Sequence, residues 1–577
     1  MSTLPPDASE SLAFNPQFAI GLTMSGGGYR AAAYHLGTLS YLERLKLLPH
    51  LEAISTVSGG TFTGTRYLLS LVEGESFQDY FKSFYGFLQT TDLLDLAVRK
   101  LGPERYCNNL PRQLAIDAFA QVYADTLLKK KDGSMFLMKD IFDVQSPLTD
   151  VVFNSTEFRH GIGFRFQKTE FPSKFGNRYE FVPREISENL RVADILAASS
   201  CFPGGFEPIA WPQSFHLETP ALPTEKQLPM MDGGVYDNQG IESLLLADRR
   251  SRDTAKEGST SILEMTDSPL RFQMLIISDT DRLDDEIYSF PPPAPSTLLG
   301  MLSLGTLWWI FWGVIVLCLI TLWGNATELV RVLQTPELQT PVRLISHFTS
   351  LGLALAVVFV GLSMWNLIYR KLAPRIPHWD RLRYDLKHLL LSQAIEMVQL
   401  RISSLFALAN DVFMKRIRGL LYAQVYDSES LKKTAVASLI YKLRKYATRK
   451  SQAEKDRFAD THSPAWPFPQ HPEIAMPSEL LLAVVDQAVR MPTTLWFDDD
   501  SMLPKLVATG HATLCFQLLN HLNYTYGPDV ANFPPEIKKY WDTLIEDWQK
   551  FQTDPYFALR PMLPAELQSS VPVIESR

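Results

Sequence analysis

The chain is 577 residues long, 46% hydrophobic and 20% charged, with 63 acidic against 55 basic residues and a net charge of −8 at pH 7. That length exceeds one ordinary core, so two or more structural units are expected, and the acidic balance offers no basic stripe for nucleic acid, which excludes that partner class. The four cysteines, Cys107, Cys201, Cys318 and Cys515, have neither CxxC nor zinc spacing and so point to reduced thiols in a cytoplasmic-type compartment, not to a disulfide framework or a metal site.

The first residues, "MSTLPPDASESLAF", lack a basic end followed by an apolar run, so no cleaved signal peptide is expected. Residues 18–23, "FAIGLT", read as a short buried strand, and 29–46 set Ala32, Leu36, Leu39, Tyr41 and Leu42 in a helical rhythm. Gly26, Gly27 and Gly28 therefore occupy a strand-to-helix turn, where backbone N–H groups can converge beside a helix N-terminus without side-chain obstruction. The pattern alone fits a phosphate loop, a dinucleotide loop or an oxyanion hole. A Walker loop would need a following Lys, which is missing, and a dinucleotide loop would need spaced glycines, whereas these are consecutive.

Next, "LEAISTVSGGTFTGTRYLLSL" (51–71) reads as a strand over 52–57, a sharp turn at Ser58 and a helix opening at Gly59 and Gly60, the arrangement of a nucleophile elbow. It departs from the usual GxSxG in having Thr56 where glycine would relax the turn. Read singly, a serine in a glycine-rich turn is more often just a turn residue or helix cap. Residues 75–145 are mostly helical by period and read as a cap over the site entrance. In "LPMMDGGVYDNQGIESLLLADRR" (228–250), Asp232 precedes Gly233 and Gly234, a helix starts near Gly240, and Asp237 and Asn238 read as turn and cap residues.

The Pro-rich "SFPPPAPST" (289–297) ends this segment as a linker. Residues 298–323 carry no charged side chain, and 344–369 are similar apart from His347. As helices rising about 1.5 Å per residue, both runs exceed a hydrocarbon core of roughly 30 Å and read as transmembrane helices. Arg370, Lys371, Arg375, Arg381, Arg383 and Lys387 follow the second run, against only Arg331 and Arg343 in the connection 324–343. The positive-inside rule then puts both large flanking segments in the cytoplasm and the short connection outside. With no signal peptide, a multi-pass protein of the bacterial inner membrane is the expected location. Residues 370–577 read as a helical C-terminal region, with long patterns over 379–450 and two further stretches around "MPTTLWFDDDS", expected to pack on the catalytic segment.

Taken in order, Gly26-Gly27-Gly28-Tyr29-Arg30, Ser58-Gly59-Gly60 and Asp232-Gly233-Gly234 resemble the patatin-like phospholipase family, related to the cytosolic phospholipase A group. "DVVFNSTEFRHGIGFRF" (150–166) and "DILAASSCFPGGFEPI" (194–209) add to the likeness, which covers roughly 18–290. The resemblance implies an α/β fold, a three-layer α/β/α sandwich with a largely parallel central sheet, in a catalytic domain over 15–290. It also implies a Ser-Asp dyad in which Ser58 is the nucleophile and Asp232 the base. Gly26, Gly27 and Gly28 would supply oxyanion N–H groups, with Arg30, Gly59, Gly60, Gly233 and Gly234 in support.

The implied substrate is a membrane phospholipid or other lipid ester, cleaved through an acyl-enzyme without metal or cofactor. Burial beside the serine is expected to raise the Asp232 pKa toward that of a useful base. A Ser-Asp-His triad is the mechanistic rival, yet no downstream histidine sits in a recognisable loop motif, and His35 reads as a packed helical residue. Two other readings stay open: a catalytically weak membrane scaffold or lipid-binding protein on a hydrolase fold, and a lipid acyltransferase that differs only in its acceptor.

Overall fold

A computed structural model describes residues 18–101, 114–171, 173–217, 227–257, 270–281, 297–335, 340–367, 386–408, 412–446 and 466–564, with isolated positions besides. Strands β1 (Ile20–Met24) and β2 (Leu51–Val57) are short apolar runs buried almost throughout, as strands covered on both faces must be. They lie inside an eight-stranded sheet with β3 (Asp150–Glu157), β4 (Ile162–Lys168), β5 (Ile209–Trp211), β6 (Leu228–Asp232), β7 (Met274–Asp279) and β8 (Ala435–Leu439), ordered β5-β6-β3-β2-β1-β7-β8 with β4 beside β3. Pairing is parallel from β3 through β2, β1 and β7 to β8, and antiparallel in the β3–β4 hairpin and at β5 and β6.

The period of two along β7 divides its side chains between two cores. Met274 and Ile276 join the larger one, built with α1 (Gly28–Arg44), α2 (Gly59–Val72), α6 (Val192–Ser200) and α13 (Met502–Tyr526). Leu275 and Ile277 face the smaller one, covered by α7 (Ile241–Glu257) and α11 (Phe413–Tyr426). The result is the expected three-layer α/β/α sandwich with a mostly parallel sheet. Within 75–145, α3 (Phe77–Thr90) packs on α1 and α2, while α4 (Leu93–Lys100) packs on α5 (Ala115–Thr126), which in turn packs on α6. Residues 102–113, with Cys107, lie outside the described residues.

The chain divides into two compact units, Met1–Asp285 with Ala409–Arg577, and Glu286–Leu408. The first unit is therefore completed only after the excursion. Helix α13 runs along α1 with Gly37 and Gly510 at the crossing, so close that a Cβ on Gly37 would overlap the Val507 carbonyl and one on Gly510 the Tyr34 carbonyl. α12 (Glu479–Arg490) and α14 (Pro535–Thr553) pack on α13. The helical reading of 379–450 misses β8: "AVASL" is too short and too weakly apolar to stand out, and it becomes a strand by adding to the edge of β7.

The second unit contains α8 (Leu304–Gln334), α9 (Pro341–Asn366) and α10 (Leu391–Ala407). The Ser303 side chain caps α8, accepting the Thr306 N–H at 3.1 Å. α8 starts six residues later than the expected run 298–323 and continues through most of the expected connection, because "GNATELVRVLQ" contains no proline and the next one in sequence is Pro336. Pro341 opens α9, a position where its missing N–H removes no helix bond. Both helices are long and apolar enough to cross a membrane. The Pro-rich stretch, apart from Thr297, and most of the basic residues over 370–383 lie outside the described residues.

Candidate active site

Ser58 stands between the end of β2 and the start of α2 with φ 47° and ψ −114°, a backbone region that a non-glycine residue occupies at a cost of about 1–3 kcal/mol. The turn is held from both sides. The Ser58 N–H donates to Ser199 Oγ at 3.1 Å, and that hydroxyl shares a 2.8 Å hydrogen bond with Thr61 Oγ1. On the far side the Gly60 N–H donates to the Ser25 carbonyl at 3.1 Å, and a Cβ on Gly60 would overlap the Met24 carbonyl. The geometry is that of a nucleophile elbow with the serine half-buried at its apex.

Thr56 fits because the room comes from another glycine. Its Oγ1 bonds Thr61 Oγ1 at 3.0 Å, and its methyl lies where a Cβ on Gly64 would stand only 2.7 Å away. The glycine that the usual motif places before the serine is thus replaced in function by one on the following helix.

Asp232 ends β6, with Asp232 opposite Ser155 of β3 and the Asp232 carbonyl accepting from Thr156 Oγ1 at 2.8 Å. Its carboxyl is buried, 3% exposed. Oδ1 accepts the Gly234 N–H at 2.7 Å, whereas Oδ2 has no hydrogen-bond partner among the described residues. Burial raises the pKa from 3.8 to about 6; the nearby Ser58 hydroxyl and the Gly234 N–H pull it back only in part. The rise has the direction expected from sequence. Asp237 is the cap that its position suggested: its carboxylate accepts the N–H groups of Gln239 at 3.1 Å, Gly240 at 2.9 Å and Glu242 at 2.8 Å.

In the glycine loop, Gly27 has φ 141° and Gly28 φ 57°, conformations that L side chains rarely adopt. The Gly26 N–H is taken by the Asn238 carbonyl at 3.0 Å. The N–H groups of Gly27, Gly28 and Gly59 have no hydrogen-bond partner among the described residues, and Gly59 abuts Gly28 so closely that a Cβ on it would stand 2.7 Å from the Gly28 nitrogen. Of the three donors expected from sequence, Gly26 is therefore engaged elsewhere, and Gly59 adds an open group. Arg30 reaches the Met491 carbonyl at 2.9 Å, while the Tyr29 N–H donates to Thr494 O at 2.8 Å. Both tie the loop to the chain beyond the excursion.

His35 is buried inside the fold, with Nδ1 2.8 Å from Ser278 Oγ and Nε2 2.9 Å from the Ser25 carbonyl. Burial lowers its pKa to about 4, so it stays neutral and locks α1 onto β1 and β7. Residues 22–245 match the family model of the patatin-like phospholipases. That segment is patatin-like. Among solved structures, the chain is similar to human GIVD cytosolic phospholipase A2, at 15% identity and TM-score 0.28 over 45% of this chain and 42% of that one. It is also similar to the same human enzyme in complex with methyl gamma-linolenyl fluorophosphonate, at 17% identity and TM-score 0.25 over 40% and 35%. The chain thus spans less than half the length of these structures. Comparison with curated proteins gave no match.

Ser58, Asp232 and the glycine loop all belong to the patatin-like segment, and so do two supports whose roles motif reading did not give. Ser199 lies in the small-residue run 194–209, whose composition hinted at close packing without singling out a hydroxyl. Asn238 stands between two glycines: its side-chain oxygen would overlap a Cβ on Gly26 and lie 2.6 Å from one on Gly234. Thr494 and Met491, far outside the patatin-like segment, left no signal in sequence, since they act through backbone carbonyls that any residue carries.

Proposed function

We propose that the chain is a membrane-anchored lipid acyl hydrolase of phospholipase A or lysophospholipase type, cleaving carboxylic esters by a Ser58-Asp232 dyad. The family match over 22–245 supports the reaction class. The observation that carries the dyad is the Asp232 carboxyl, buried beside Ser58 with one oxygen unengaged and a pKa raised to about 6. Such a group is ionised at neutral pH and remains basic enough to accept a proton.

The chemistry follows in two halves. Ser58 Oγ bonds to the ester carbonyl carbon as its proton passes to Asp232 Oδ2, and the carbonyl oxygen becomes an oxyanion. The open N–H groups of Gly27, Gly28 and Gly59 receive that charge, and preorganised donors of this kind contribute about 3 kcal/mol each. Collapse expels the alcohol, which takes the proton from Asp232 and leaves an acyl-enzyme. A water then gives its proton to Asp232 and attacks the acyl carbon, and collapse releases the fatty acid as Asp232 returns that proton to Ser58 Oγ. In this reading α8 and α9 span the bilayer, both large chain segments lie on the cytoplasmic side, and the substrate is drawn from the membrane that holds the enzyme.

The test is release of a fluorogenic lipid ester by detergent-purified protein. Wild type should turn over, Ser58→Ala and Asp232→Asn should fall by at least about 10³-fold, and a fluorophosphonate should label wild type but not Ser58→Ala. Equal release by all three proteins overturns the dyad, and no release by wild type overturns the hydrolase.

A further inference from the structure

Helix α10 sets Leu391, Ile395, Val398, Ile402 and Leu405 along one face at spacings of three and four residues, with Gln393, Glu396, Ser403 and Ser404 opposite, a face interrupted by Leu400. The apolar face is uncovered: Ile395, Val398, Ile402 and Leu405 are 52, 53, 50 and 63% exposed. In water such a stripe needs a partner.

The position of the helix indicates which partner. Its start is clasped to the start of α8: the Leu304 N–H donates to Leu389 O and the Leu391 N–H to Leu302 O, both at 2.9 Å. The Ser392 N–H and hydroxyl both reach the Gly300 carbonyl, at 3.1 and 3.0 Å. This same end of the apolar hairpin gathers three indoles, with Trp365 5.0 Å from Trp308 and 5.4 Å from Trp312 between ring centroids. Indoles collect where hydrocarbon meets water. Six basic residues, Arg370, Lys371, Arg375, Arg381, Arg383 and Lys387, precede the helix in sequence, a composition suited to anionic headgroups.

We propose that α10 is an interfacial helix: it leaves the foot of α8 at the membrane boundary and lies in the lipid surface, with Ile395, Val398, Ile402 and Leu405 among the acyl chains and Glu396 and Ser403 toward water. The proposal rests on reading α8 and α9 as spans. A lipid surface satisfies the whole stripe, because the clasp holds the first turn of α10 level with the first turn of a helix whose next turns, through Trp323, are apolar and mostly half-exposed or exposed.

Collision measurements on the full-length protein in phosphatidylcholine–phosphatidylglycerol vesicles test this. The parent carries Cys107→Ser and Cys318→Ala, and single nitroxides are attached at Ile395→Cys, Val398→Cys, Ile402→Cys, Glu396→Cys and Ser403→Cys, with Val314→Cys and Leu355→Cys reporting on the spans. Oxygen, which concentrates among acyl chains, should dominate at 395, 398 and 402, and a water-soluble nickel chelate at 396 and 403, an alternation with a period of about 3.6 residues. Nickel access at all five positions overturns the proposal. Protection of 395, 398 and 402 from both colliders also overturns it, since a protein surface would then cover the stripe. If 314 and 355 see oxygen while 395, 398 and 402 see nickel, α10 alone is misread; nickel at 314 and 355 removes the spans as well.

Discussion

The Asp232 carboxyl is buried with only Oδ1 engaged, and its pKa stands near 6 instead of 3.8. Activity that uses it as a base should rise with pH through about 6 and level off above, readable in the pH profile of kcat/KM. Stability should move the other way. A carboxyl whose folded pKa exceeds its unfolded one loses folding free energy as pH rises from about 4 to 6, and a shift of roughly two units amounts to about 3 kcal/mol that stays lost above that window. Asp232→Asn is therefore expected to be inactive yet to melt higher than wild type at pH 8, with the gap closing at pH 4; thermal denaturation at the two pH values checks the sign. The Thr56 departure from the elbow motif is answered by Gly64. Gly64→Ala places a methyl 2.7 Å from the Thr56 methyl carbon and should destabilise by about 1–3 kcal/mol. Adding Thr56→Gly should recover part of that loss, measured as a coupling in a double-mutant cycle.

Glycines also decide how elements approach. At the α1–α13 crossing neither Gly37 nor Gly510 has space for a side chain, and α1 begins at Gly28, so separation of these helices would move the glycine loop. Gly510→Leu should lower stability by about 3 kcal/mol or more and slow fluorophosphonate labelling of Ser58. Gly86, mid-helix in α3 with open space around it, is the contrast: Gly86→Ala should stabilise by about 0.5–1 kcal/mol through helix propensity alone. Urea unfolding of the two variants separates close approach from simple backbone entropy.

The described residues that flank the excursion 286–408 in sequence meet each other within the first unit. Arg418 of α11 meets Asp279 at the end of β7 at 3.1 Å and also pairs with Asp281, while the Tyr422 hydroxyl donates to Asp279 at 3.1 Å. The chain on either side of the excursion is thus already joined. Replacing 286–408 by a Gly/Ser linker of about ten residues, flexible enough to span this short gap, should give a folded, detergent-independent protein. It should hydrolyse a water-soluble ester near the wild-type rate and lose turnover on bilayer lipid. Size-exclusion chromatography and paired assays check it, and an aggregated product would mean that the first unit needs the second to fold.

Local rules made β1 and β2, the two glycine-rich turns, the Asp-Gly-Gly loop and the apolar runs legible, because burial in strands, tight backbone turns and membrane-length apolar stretches each require particular residues at fixed spacing. The three-layer sheet fold came instead from the family resemblance that the ordered motifs carry. What sequence could not supply were choices made between distant segments. Gly64 makes room for Thr56, Asn238 claims the Gly26 N–H, Ser199 holds the Ser58 backbone, and Met491 and Thr494 tether the glycine loop across the whole excursion. These contacts run through backbone carbonyls, small side chains and the absence of a Cβ. None leaves a periodic trace, and only the folded chain brings the partners within reach.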